Sequence, residues 1–169
     1  MSDAAVMAVQ IGRPLRAPSQ VAARCPLGLP VVAIVPPILD DGTPFPTRYW
    51  LTCPLASRRI GRLEAMGGVR HMDAKTRLEP EFGARLEAAH LRYADERDAS
   101  LPPDSTPRPS GGVAGSGGGV KCLHAHYADH AAGNDNPVGE AVAPWVEPLD
   151  CLEPCVLDGR HNESWSEPR

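Results

Sequence analysis

Proline fills 19 and glycine 16 of the 169 positions, about a fifth of the chain where roughly 12% is ordinary, and this punctuation limits the fold more than any other feature. Proline fixes φ and lacks a donor, and glycine loses the most freedom on folding, so neither supports long uninterrupted elements. Much of the backbone must be loop. The side chains that could offset this are few: Leu, Ile, Val and Phe together number 34, while alanine supplies 22 of the residues counted as hydrophobic. The expectation is one small domain over residues 1–157 with a thin core, followed by a polar, disordered tail over residues 158–169.

With 17 basic and 21 acidic residues the formal charge is −4. Nucleic-acid binders usually carry a basic stripe, and none is visible beyond Arg58, Arg59 and Arg62, so nucleic acid is excluded as a partner. No apolar run approaches the ~18 residues of a membrane span. The first ten residues lack the basic start and apolar stretch of a signal peptide, which points to a cytoplasmic setting. There the 5 cysteines stay reduced, and metal binding or reactivity outranks a disulfide framework.

Helical spacing and end signals predict three to four helices. Residues 2–11 form a short one that Gly12 and Pro14 stop, and a second starts at Pro54 and ends at Gly67-Gly68. The third carries Phe82, Leu86, Ala89 and Tyr93 on one stripe, facing either the core or a partner helix. Residues 120–132 make the fourth. The β-branched run 31–35 and residues 48–52, separated by a loop dense in turn formers, read as an antiparallel strand pair. Residues 101–119, rich in proline, glycine and serine, form a flexible insertion rather than a phosphate cradle, because the order required around Lys121 is missing. The fold class is α+β with long Pro/Gly-rich loops.

Three of the 6 histidines fall between His124 and His130. On a helix over 120–132, Cys122, His126 and His130 would lie one turn apart on one stripe with Asp129 beside them, while His124 points away. Thiolate and imidazole are the usual ligands of Zn²⁺, and two donors at i, i+4 stand at a separation one ion can bridge. The alternative makes Leu123, Tyr127 and Ala131 the core stripe and the histidines ordinary surface. His126-Ala-Tyr-Asp129-His130 also has the order of an inverted zincin motif with aspartate for glutamate. Cys53, before Pro54, sits at a helix start, where the dipole would favour a thiolate unless the side chain is simply buried. Cys25, Cys151 and Cys155 occupy proline-rich loops that can hold metal ligands.

Five ordered blocks carry a family resemblance: Asp41-Gly42-Thr43-Pro44-Phe45-Pro46-Thr47, Leu51-Thr52-Cys53-Pro54, Val120-Lys121-Cys122-Leu123-His124, Asn136-Pro137-Val138-Gly139 and Pro154-Cys155-Val156. Across residues 11–156 the chain resembles the bacterial family called domain of unknown function 501. The resemblance brings no activity. Members are typically encoded near enolase, a septum-formation protein and an exopolyphosphatase, which implies housekeeping work near division or phosphate metabolism. It also places Cys25, Cys53, Cys122 and Cys155 within shared blocks. Some relatives carry a second cysteine two positions after Cys25, where this chain has Leu27, so a zinc site here must draw on His126, His130 or Cys151.

The leading expectation is therefore a zinc-binding interaction or scaffold domain, with a protein as partner. Its ligands are chiefly Cys122, His126 and Cys53, with Cys25, His130 or Cys155 completing the set. One rival is a metal- or thiol-dependent enzyme using the same cluster, with Cys53 as a nucleophile near His126. The other has no metal, and the Phe82 to Tyr93 stripe binds a partner.

Overall fold

A computed structural model describes residues 1–168. Helix α1 (Asp3–Ile11) starts on Ser2, whose hydroxyl accepts the Ala5 amide. Strands β1 (Gln20–Arg24), β2 (Pro30–Ile34) and β3 (Tyr49–Leu51) then form one antiparallel sheet with β2 in the middle. The expected pair is present, with Val32 opposite Leu51 and Ile34 opposite Tyr49. The alanine-rich β1 adds a third strand across a tight Cys25 to Gly28 turn, where the Gly28 amide donates to the Cys25 carbonyl at 2.8 Å. Gly28 takes φ +78°, a backbone that favours glycine.

Six helices are present among the described residues rather than three to four. Helix α2 (Pro54–Ala65) begins with proline at its first position and buries Leu55, Ala56 and Ile60. Helix α3 (Gly68–Leu78) buries no residue fully and sets only half-buried Val69 and Met72 against the core, a stripe too short to read. Helix α4 (Pro80–Asp98) buries Leu86, Ala89 and Tyr93 and sets half-buried Phe82 against the core, so the expected stripe faces inward rather than toward a partner. The Tyr93 hydroxyl accepts the Arg48 and Tyr49 amides at 2.6 and 3.1 Å, fixing the start of β3 against α4.

Helix α5 (Leu123–Ala131) is shorter than residues 120–132 and is buried on most sides, at Leu123 and from Ala125 through Asp129. It packs on β3 and on α6 (Pro137–Val146), a second helix hidden by its prolines. The Asn136 side chain caps α6, accepting the Gly139 amide at 3.0 Å. The segment expected as a flexible insertion packs on α4 in part. Val113 is fully buried, and His90 accepts the Val113 amide while donating to the Gly119 carbonyl, each at 3.0 Å. Strand β4 (Val156–Leu157) pairs in a hairpin with β5 (Arg160–His161), which lies with a buried Trp165 in the segment expected as a tail.

Helices α5 and α6 meet at Gly139, where an added Cβ would fall against the His126 carbonyl oxygen and the His130 Cβ. Gly139→Ala is expected to cost about 1–3 kcal/mol through overpacking, despite the better helix propensity of alanine. Urea denaturation of both proteins measures it, and an unchanged midpoint would show that the two helices can separate freely.

Candidate functional site

Cys122 precedes α5 with an extended backbone, φ −154° and ψ 121°, and is its N-cap. The expected stripe of Cys122, His126 and His130 therefore does not form, because the 100° helical step cannot be extended to a residue outside the helix. Cys122 instead joins His124, the residue expected to point away, and Glu64 from the last turn of α2. One ligand atom from each of Glu64, Cys122 and His124 lies within 4.8 Å of the other two, and all three residues are half-buried.

The local chemistry explains the arrangement. Cys122 gives no side-chain cap to α5, and Glu64 supplies it: its Oε1 accepts the Leu123 amide at 2.7 Å. The helix dipole favours that carboxylate. His124 Nδ1 stands 3.3 Å from the same oxygen, and Nε2 stands 3.2 Å from the Ser57 carbonyl. Since a carbonyl only accepts, Nε2 is assigned the proton and Nδ1 faces Cys122 and Glu64. Hydrogen bonding to Cys122, followed by the charge of Glu64, raises His124 to about 9 against the desolvation that opposes it.

Beside the trio runs a groove of about 540 Å³ between α1, β3, α2 and α5. Ile11, Trp50, Leu51 and Pro54 make its walls mainly apolar, Cys122 and His124 line it, and Arg58 brings a cation. Arg58 also lies over the Trp165 ring at 4.7 Å.

The other expected ligands lie elsewhere. His126 is fully buried under α5; its Nδ1 donates to Asn136 Oδ1 at 3.2 Å, and its Nε2 has no partner. Asp129, also fully buried, accepts Arg92 at 2.6 Å, Asn136 at 2.9 Å and Asn134 at 3.0 Å. Committed to these partners, it is not placed as the base of an inverted zincin. His130 is half-buried in the last turn of α5, near Gly139. Cys53 is buried, and the expected dipole effect is overridden: burial pushes its thiol up to about 11, although the amides of Ala56 and Leu55 pull the other way. Burial also raises Cys155. Cys25 and Cys151 are half-buried and pack against the same core as Cys53 and Cys155.

Glu64 carries no signal in the sequence, being one acidic residue on a helix with no fixed spacing to Cys122. His124 could have been found by noting that the residue two after a helix N-cap turns back over the helix start.

Burial lowers His126 to about 4. Its unfolded value is near 6.5, so between those values the unfolded chain binds a proton that the native chain does not, and stability falls as pH falls through that window. This contributes a loss on the order of 3 kcal/mol from pH 6.5 to 4. Asp129, raised by burial, works in the opposite sense. His126→Gln removes only the first effect, so its stability should fall less steeply with acid than that of the parent, by up to ~1.4 kcal/mol per pH unit. Chemical denaturation at a series of pH values reads the slopes; parallel slopes would mean that His126 titrates normally.

Among the described residues no helix is long and apolar enough to cross a membrane. Comparison with known families gives one match, to proteins of unknown function designated DUF501, over residues 21–144. Neither a curated protein nor a solved structure matches the chain.

Proposed function

The chain belongs to the DUF501 family of proteins of unknown function, and on the geometry of its own side chains we propose that it binds one divalent ion of the zinc class through Glu64, Cys122 and His124. The observation that carries this reading is the convergence of one carboxylate, one sulfur and one imidazole nitrogen within 4.8 Å. Zinc at 2.0–2.3 Å from each donor holds tetrahedral ligands roughly 3.3–3.8 Å apart, a small closure from that arrangement. The His124 orientation supports the same reading. A ligating histidine characteristically gives its other ring N–H to a backbone carbonyl, which fixes the tautomer, and Ser57 provides that carbonyl.

Three protein ligands leave a fourth position for water or substrate, the pattern of a reactive rather than a purely structural zinc site. The groove beside the trio suits a small molecule with an apolar body and an anionic group for Arg58. An interaction or scaffold role would instead require a fourth protein ligand closing the shell, and among the described residues none stands with these three. Bound there, the ion would polarise a ligand oxygen or lower the pKa of a bound water.

A second reading uses the same residues without metal. With His124 beside it and Glu64 orienting the ring, Cys122 has the neighbours of a cysteine nucleophile.

Elemental analysis of protein purified without an affinity tag separates them. Metal binding predicts that a Glu64→Ala, His124→Ala double variant holds about one equivalent less zinc than the parent, and that His124→Ala alone weakens binding by roughly a hundredfold or more. Thiol chemistry predicts equal metal content and faster iodoacetamide labelling of Cys122 than of the other four cysteines, slowed by His124→Ala. Equal metal content with no preferential labelling would defeat both.

A further inference from the structure

Four of the five cysteines lie outside the Glu64, Cys122 and His124 trio, and they come from distant parts of the chain to one place. The Cys25 amide donates to the Leu29 carbonyl at 3.0 Å and the Cys53 amide to the Val31 carbonyl at 3.3 Å. Between those two carbonyls, the Pro30 carbonyl accepts Gln10 Nε2 at 2.9 Å, and the same amide group reaches Cys155 Sγ at 3.6 Å. Three cysteines are thus tied to three consecutive residues at the entrance of β2. Cys151 belongs to the loop that leads to Cys155, and its sulfur accepts the Trp165 indole N–H at 3.4 Å.

We infer that Cys25, Cys53, Cys151 and Cys155 form a second metal site, a tetrathiolate centre for one ion of the zinc class that clamps the β1–β2 turn, the start of α2 and the C-terminal segment together. Two N–H groups directed at sulfur support this. A neutral thiol is a weak acceptor, so the Gln10 amide and the Trp165 indole gain little from a protonated cysteine. A metal-bound thiolate is a strong acceptor, and such outer-shell donors orient ligands and stabilise their charge. The four side chains also share one packing cluster, with Cys53 and Cys155 inside it and Cys25 and Cys151 against it.

No three of these sulfurs lie within 4.8 Å of one another. Binding must therefore draw them in. Each cysteine has a single side-chain torsion before its sulfur, so rotation between staggered positions shifts the ligand atoms with little movement of the backbone. Cys25 and Cys151, both half-buried, have the room to turn.

The test uses the full chain carrying Glu64→Ala and His124→Ala, which removes the trio and makes failure here distinguishable from failure of the reading above. Purified with zinc in the growth medium, it should retain about one equivalent, and X-ray absorption at the zinc edge should show four sulfurs at ~2.3 Å. Adding Cys25→Ser, a change in a half-buried turn that the fold should tolerate, should reduce the sulfur count from four to three or release the ion. A folded double variant with no zinc, zinc surrounded by nitrogen and oxygen, or a disulfide among these four cysteines in intact mass would each overturn the inference.

Discussion

Asp129 sits fully buried in α5, and a carboxylate there is tolerable only because Arg92 of α4 and two asparagines beyond α5 satisfy it. The same interaction sets the geometry of the helical layer. Arg92 brings α4 to α5, and Asn136 uses its amide nitrogen on Asp129 while its oxygen accepts from His126 and from the first turn of α6. Three helices are therefore held by one set of polar contacts, in a chain whose apolar side chains are too few to specify their packing alone. Leaving any member unpaired would strand a buried charge or amide, which is why the set acts as a unit.

With α5 fixed, its first turn becomes a platform. Cys122 and His124 inherit their positions from the helix start, and Glu64 reaches them because α2 lies alongside and offers the carboxylate as the missing cap. A structural need, covering an amide at a helix N-terminus, thus brings an acidic group to a thiol and an imidazole. Capping and metal ligation are compatible, because a carboxylate has lone pairs for both.

How much of this could be read in the sequence follows from what each segment buries. Strands β2 and β3 announced themselves through Val31, Val32, Tyr49 and Trp50, and α4 through the spacing of Leu86, Ala89 and Tyr93. Strand β1 did not, since Gln20-Val21-Ala22-Ala23-Arg24 has little β-propensity and is fixed by pairing. Helix α3 sets only Val69 and Met72 against the core, and Pro137 and Pro144 disguise α6. At the site, the histidine cluster was visible but its partners were misassigned: the α5 boundary, displaced by three residues, exchanged His126 for His124. Glu64 was beyond reach, because its role depends on how two helices lie together rather than on any local pattern.

Gln10 and Cys155 touch across 145 positions of sequence. The sheet and helices α1 to α6 all lie ahead of Cys155 in the chain, and Cys25 and Cys53 stand at the entrance of β2. Cys151 and Cys155 follow all of these in sequence, and Gln10 of α1 reaches Cys155. Contacts of such long range form late. The segment from Cys151 to Trp165 therefore acts as a latch: without it the helices would keep most of their mutual contacts, while the link from α1 to Cys155 would be lost.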